Sequence, residues 1–164
     1  MTLDIRFTGA SPSAEERAAV DAAVGEGRRR DLFLPALHAI NDLVGWISEG
    51  ALDYICRRLE VPPAEAFGVA TFYHMFSLKP RPPELVYACD DIACRLKGAE
   101  KLCASLGGRV KRSPCLGQCE RAPAALVTAA GKEPKAYTVA PFTGDRAESK
   151  EKLSESIPQA GSAG

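Results

Sequence analysis

Apolar residues keep a helical period as far as about residue 80, and beyond it strand-like segments alternate with one further helical stretch. Ser13 and Glu16 stand at capping-box spacing, which predicts a helix running to about Val24 and stopped by Gly25 and Gly27. Phe33, Leu37, Ile40 and Val44 recur at four, three and four, one face of a second helix with Pro35 tolerated in its first turn. Gly45-Trp46 ends it, and Ser48 can cap a third helix whose stripe is Leu52, Ile55, Cys56 and Leu59. Val61-Pro62-Pro63 interrupts the chain, and Pro63 opens a fourth helix over about 64–76. That segment, AEAFGVATFYHMF, is apolar nearly all round, so it is expected to be buried or covered by a partner. Residues 13–78 therefore read as a small helical bundle.

The pattern changes after the rigid connector Lys79-Pro80-Arg81-Pro82-Pro83. Glu84–Ala88 has strand character and delivers Cys89 at its end. Ile92, Leu96, Ala99, Cys103 and Leu106 recur at four, three, four and three, which predicts one continuous amphipathic helix closed by Gly107-Gly108. A short strand is expected at 109–111, and two more at 124–128 and 136–139 form a hairpin around Gly131. The order β-α-β-β-β makes a small α/β domain, so the fold class is α+β. The division expected is a helical bundle over 1–80, with 1–12 a frayed arm, an α/β domain over 81–145, and a polar, mobile tail over 146–164.

Composition narrows the function classes. The 164 residues are 46% hydrophobic and 26% charged, ordinary for a globular protein, which excludes a collagen-like, low-complexity or wholly disordered chain. No run of eighteen apolar residues is present, so no membrane insertion is expected. Charges cancel at 21 against 21, which argues against a dedicated nucleic-acid binder. The N-terminus lacks a basic region followed by an apolar one, so a cytoplasmic location is expected. Clustered cysteines there more often bind metal or do redox work than form disulfides.

Four of the six cysteines form two close pairs, Cys89-x4-Cys94 and Cys115-x3-Cys119, with twenty residues between the pairs. Both pairs fall at strand–loop junctions. A [2Fe–2S] cluster needs two thiolates on each iron, and loops leave backbone N–H groups free to point at sulfur. Gly117 lets the second loop turn close to such a group. Cys94 falls near a helix N-terminus, where the dipole favours thiolate. A structural zinc site is the rival reading, although such sites prefer two residues between paired ligands. Dithiol chemistry lacks its C-x-x-C, and burial as inert core suits Cys56 and Cys103, which lie on apolar helical stripes.

The motifs C-D-D-I-A-C-R-L-K-G-A-E at 89–100 and C-L-G-Q-C-E-R-A-P-A at 115–124 resemble those of the 24 kDa subunit family of NADH dehydrogenase. The same module serves as the small (gamma) subunit of NAD-dependent formate dehydrogenase and occurs in NAD-reducing hydrogenases. L-P-A-L-H-A-I-N-D at 34–42 and V-P-P-A-E-A-F-G-V-A-T-F-Y-H-M-F at 61–76 are similar to that family's N-terminal region. The resemblance spans about residues 30–128. It implies a four-helix N-terminal bundle followed by a thioredoxin-like ferredoxin domain, with a [2Fe–2S] cluster on Cys89, Cys94, Cys115 and Cys119. It further implies an electron-transfer subunit beside an FMN-containing, NADH-binding flavoprotein, within a larger molybdenum, tungsten or respiratory complex. The alternative function is a zinc-stabilised interaction module with no redox role. Respiratory members place thirty-odd residues between the cysteine pairs, and the shorter spacing here leans towards a dehydrogenase outside that complex.

No G-x-G-x-x-G follows a strand and no P-loop occurs, so NAD and FMN are expected on the partner and no catalytic residue is assigned. His38 and His74 read as core or interface residues, Arg28-Arg29-Arg30 as a solvated turn, and Phe72, Tyr73 and Phe76 as core with one edge towards a partner. Asp90 and Asp91 read as helix caps or solvated acids. The balanced total charge also divides. Residues 1–80 carry net −3 and residues 81–164 net +3, while 92–135 holds nine Lys and Arg against three Glu. Such a stretch, with Lys111 and Arg112 at its centre, is expected to stabilise a reduced, anionic cluster.

Overall fold

The computed structural model describes residues 10–144. The expected arm over 1–12 therefore lies almost wholly outside the described residues, and the expected tail over 146–164 lies entirely outside them. The chain divides into two compact units, one taking the described residues up to Glu84 with Ala129–Pro134, the other Leu85–Thr128 with Lys135 onward.

Four helices make the first unit: α1 (Ala14–Val24), α2 (Phe33–Val44), α3 (Glu49–Leu59) and α4 (Pro63–Phe72). The two predicted caps form and share a partner. Ser13 Oγ accepts from the Glu16 N–H at 3.1 Å while Glu16 Oε2 accepts from the Ser13 N–H at 2.7 Å. Ser48 Oγ accepts from the Ala51 N–H at 3.1 Å and donates to Glu16 Oε1 at 2.6 Å. One buried carboxylate thus ties the starts of α1 and α3 together. The α2 and α3 stripes meet in a core of Val20, Leu37, Ile40, Leu52, Ile55, Cys56 and Leu59, all buried. The three arginines at 28–30 are exposed and paired with Glu60, Asp31 and Glu65.

α4 is shorter than its composition predicts. The Thr71 hydroxyl donates back to the Phe67 and Gly68 carbonyls at 2.8 and 3.1 Å, and Tyr73 turns extended at φ −82°, ψ 112°. Phe76 returns to the core through a turn, where His38 meets its ring edge-on at 4.9 Å. Phe72 and Tyr73 are left 80% and 41% exposed, contrary to their expected place in the core, and pack edge-on against each other at 5.2 Å. His38 and His74 are likewise exposed, not core residues.

The second unit is built on a mixed four-stranded sheet in the order β2-β1-β3-β4, from β1 (Glu84–Cys89), β2 (Lys111–Ser113), β3 (Ala125–Ala129) and β4 (Lys135–Val139). β1 and β2 are parallel, with Cys89 opposite Ser113. Adjacent β3 and β4 are joined by only five residues, which admits a hairpin and not a crossover. Lys111–Ser113 is the strand expected two residues earlier. Val86, Ala88, Ala125, Val127 and Val139 form the apolar core with Cys103 and Phe142.

The predicted single helix over 92–106 is two helices, α5 (Ile92–Leu96) and α6 (Ala99–Leu106), broken at Gly98 with φ 89°, ψ 16°. Cys103 is buried on α6, but Ile92 and Leu96 are 74% and 84% exposed. The apolar period continues across a joint that the backbone does not.

Candidate metal centre

Cys89 is the last residue of β1, held there by its N–H donating to the Ala124 carbonyl at 2.9 Å. The ladder with β2 extends one residue further, through the Asp90 N–H to the Ser113 carbonyl at 3.2 Å. Asp91 then caps α5, its Oδ1 accepting from the Ile92 N–H at 2.7 Å, so of the two acids only Asp91 takes the capping role, while Asp90 pairs with Arg112. Cys94 is the third residue of α5 and points inward, so that it and Cys89 are both buried, packed with Ala99, Ala124 and Leu116.

The second pair is arranged differently. Cys115 and Cys119 are exposed, with their sulfurs 3.6 Å apart across a loop that turns at Gly117, φ 73°. The Gly117 N–H donates to Cys115 Sγ at 3.4 Å. α5 packs against the helical turn Cys119–Arg121 that follows. The four thiols share one electrostatic neighbourhood. Burial, and then a hydrogen bond with Cys89, push the Cys94 thiol up to about 11, partly offset by a backbone donor at Ala124, with Cys119 adding to the rise. The Cys119 thiol is raised first by its hydrogen bond with Cys115 and also by the field of Cys89. In the metal-free chain, burial outweighs the helix-start dipole that sequence reasoning assigned to Cys94. Among the described residues, no three His, Cys, Asp or Glu converge on a single point as ligands of one ion. The thiols lie as two pairs.

Asp90, Glu100 and Arg112 form a polar cluster that sequence reasoning missed. Arg112 donates to both Glu100 oxygens at 2.6 and 2.9 Å and to Asp90 Oδ2 at 2.8 Å. These partners lie 12 and 22 residues away along the chain, so no local pattern marks them. Glu100 and Asp90 hold the guanidinium far above the ordinary arginine range, and Arg112 in turn lowers the Glu100 carboxyl. The arginine at the centre of the basic stretch therefore has two carboxylates offsetting its charge.

The sequence model of the thioredoxin-like [2Fe–2S] ferredoxin family matches residues 21–138, a span that includes all four paired cysteines. The chain belongs to this family. Among relatives of this ferredoxin, an NADH-quinone oxidoreductase subunit of Escherichia coli (strain K12) is 26% identical over 131 residues, covering 70% of this chain and 79% of the relative. An NADH-quinone oxidoreductase subunit of Thermus thermophilus is 31% identical over 113 residues, 60% of this chain and 62% of the relative. A third, from the NADH-quinone oxidoreductase of Rickettsia felis, is 33% identical over 111 residues, 58% and 66% of the two chains.

The ferredoxin's cofactor is a [2Fe–2S] cluster, and the thiol geometry fits one. Two thiolates about 2.3 Å from one tetrahedral metal lie about 3.8 Å apart. The 3.6 Å between Cys115 and Cys119 is close to that separation without rearrangement. The Gly117 N–H donates to the Cys115 sulfur, and the Ala124 backbone offsets part of the rise at Cys94. Such donors tune iron–sulfur centres by stabilising negative charge on sulfur. Cys56 and Cys103 are buried core thiols, as their helical stripes predict. Among the described residues, no helix is long and apolar enough to cross a membrane.

Proposed function

We propose that this ferredoxin is a non-catalytic electron-transfer subunit of an NAD-dependent oxidoreductase complex. Cys89, Cys94, Cys115 and Cys119 hold its cluster beside the FMN of a partner NADH-binding flavoprotein. When bound, the cluster supplies one-electron acceptance and release, which complements the two-electron chemistry of hydride donors. The observation that carries the reading is the gathering of two cysteine pairs on adjoining loops, one pair already at the spacing of two ligands on one metal. Cys89 and Cys94 close the site towards the protein interior and keep water from that side. Cys115 and Cys119 form its exposed edge, and electron exchange with a second protein crosses there.

Within this class the assembly proposed is a cytoplasmic formate dehydrogenase type, with a molybdenum or tungsten subunit beyond the flavoprotein; the respiratory complex is the alternative assembly. Its support is the short link between the cysteine pairs: α6 ends at Leu106 and β2 begins at Lys111. The functional division proposed is a bundle over 1–80 and a cluster-bearing domain over 81–145. The test is purification of the full chain with its native partners, followed by addition of NADH. Visible absorption that bleaches with NADH only while an FMN protein is bound supports the proposal. A stable complex with no flavin, or a zinc-containing chain without labile sulfide, refutes it.

A further inference from the structure

We propose that Arg112 is a positioning residue that holds the two cysteine loops in register. The inference rests on the ligand assignment above. Asp90 stands between Cys89 and the α5 cap, so it belongs to the first ligand loop. Glu100 lies in the first turn of α6, just beyond the break at Gly98. Arg112 sits on β2, three residues before Cys115. One guanidinium therefore joins the strand that leads into the second cysteine loop to the first ligand loop itself, at Asp90, and to the helix that follows it, at Glu100. Its bond to Glu100 is a two-pronged fork, and its Nη1 is shared with Asp90. A fork fixes direction as well as distance, which an ammonium cannot reproduce.

The joint needs such a tie. β1 and β2 run side by side only as far as the Asp90–Ser113 bond, and the chain then splits into two loops that share no further described ladder. α5 is only five residues long and ends in a glycine joint, so its own hydrogen bonds do little to orient Cys94. Arg112 is 47% exposed on its side chain, so the cluster adds little to global stability and its effect is local.

The test uses the full chain carrying its cluster, with R112K, R112Q, D90N and the D90N/R112Q double variant. Three quantities are read: the half-life of visible absorption against an iron chelator, the spectrum of the reduced cluster by electron paramagnetic resonance, and the midpoint potential. Outer residues that orient metal ligands commonly change metal retention about tenfold or more. R112Q and R112K are both expected to shorten the half-life about tenfold and to alter the resonance spectrum. The double variant is expected to lose little beyond R112Q alone, because both changes cut one tie. The proposal is overturned if half-life and spectrum stay at wild type in both arginine variants. It is equally overturned if R112Q shifts only the potential and R112K restores it, since Arg112 then acts as a charge. Failure of the ligand assignment has its own signature, a C89S or C115S chain that keeps the wild-type cluster spectrum.

Discussion

Replacing Gly98 with alanine should destabilise the cluster-bearing unit by about 1 kcal/mol. Gly98 joins α5 to α6 at φ 89°, ψ 16°, and a Cβ built there meets nothing within 4 Å. Sterics against neighbours therefore contribute nothing, and the cost is the left-handed backbone alone, about 1–2 kcal/mol for an L residue. Reduced freedom in the unfolded chain offsets about 0.5 kcal/mol of that. Gly68 supplies the control: it lies within the helix α4, again with open space around its Cβ. There the same substitution should stabilise by about 0.5–1 kcal/mol, because alanine prefers a helix interior to glycine. One chemical change thus has opposite signs at two sites. Urea unfolding of the full chain by circular dichroism measures both, and hydrogen exchange across 99–106 and 63–72 assigns each effect to its helix. Asn at 98, which tolerates the left-handed region better, should fall between glycine and alanine. A G98A protein as stable as wild type would show that 92–106 can run as the continuous helix its apolar period predicts, and would refute the reasoning.

Glu16→Ala should cost about 2 kcal/mol in the same unfolding assay, because it removes two hydrogen bonds to a buried carboxylate and half of a capping box. A loss below about 0.5 kcal/mol would show that the shared cap contributes little. Thiol titration of the metal-free chain should find two fast sulfhydryls, Cys115 and Cys119, and four slow ones, Cys56, Cys89, Cys94 and Cys103. Fast reaction of Cys94 would contradict its inward orientation. Because Cys94 is raised to about 11 and Cys119 is also raised, metal uptake must displace protons from these thiols. Cobalt(II) affinity of the metal-free chain should therefore rise steadily with pH from about 6 to 9, and a flat profile would contradict the proposed ligands.

Features set by local chemistry were legible before the structure. The Ser13–Glu16 box, the Ser48 cap, the four strands and the paired cysteines each depend on residues within a few positions of one another. The resemblance of the cysteine motifs carried the family and its cofactor. What escaped depends on distant partners or on a competition within the backbone. Apolar period alone cannot reveal that Gly98 turns left-handed, so Ile92 and Leu96 looked buried when they are exposed. The end of α4 turned on Thr71 bonding back to its own helix, which composition does not show. Arg112 read as one charge of a basic stretch because Asp90 and Glu100 reach it only once β1, β2 and α6 are assembled. The shared role of Glu16 was half visible, its bond to Ser13 local and its bond to Ser48 32 residues away.

Chemical analysis of the isolated full chain, read together with electron paramagnetic resonance, tests the central claim most directly. The account predicts iron and acid-labile sulfide in equal amounts, absorption that bleaches with dithionite, and a resonance from the reduced state that vanishes when Cys89, Cys94, Cys115 or Cys119 is changed to alanine. A chain that holds one zinc on these thiols, with no labile sulfide and no signal on reduction, would contradict it.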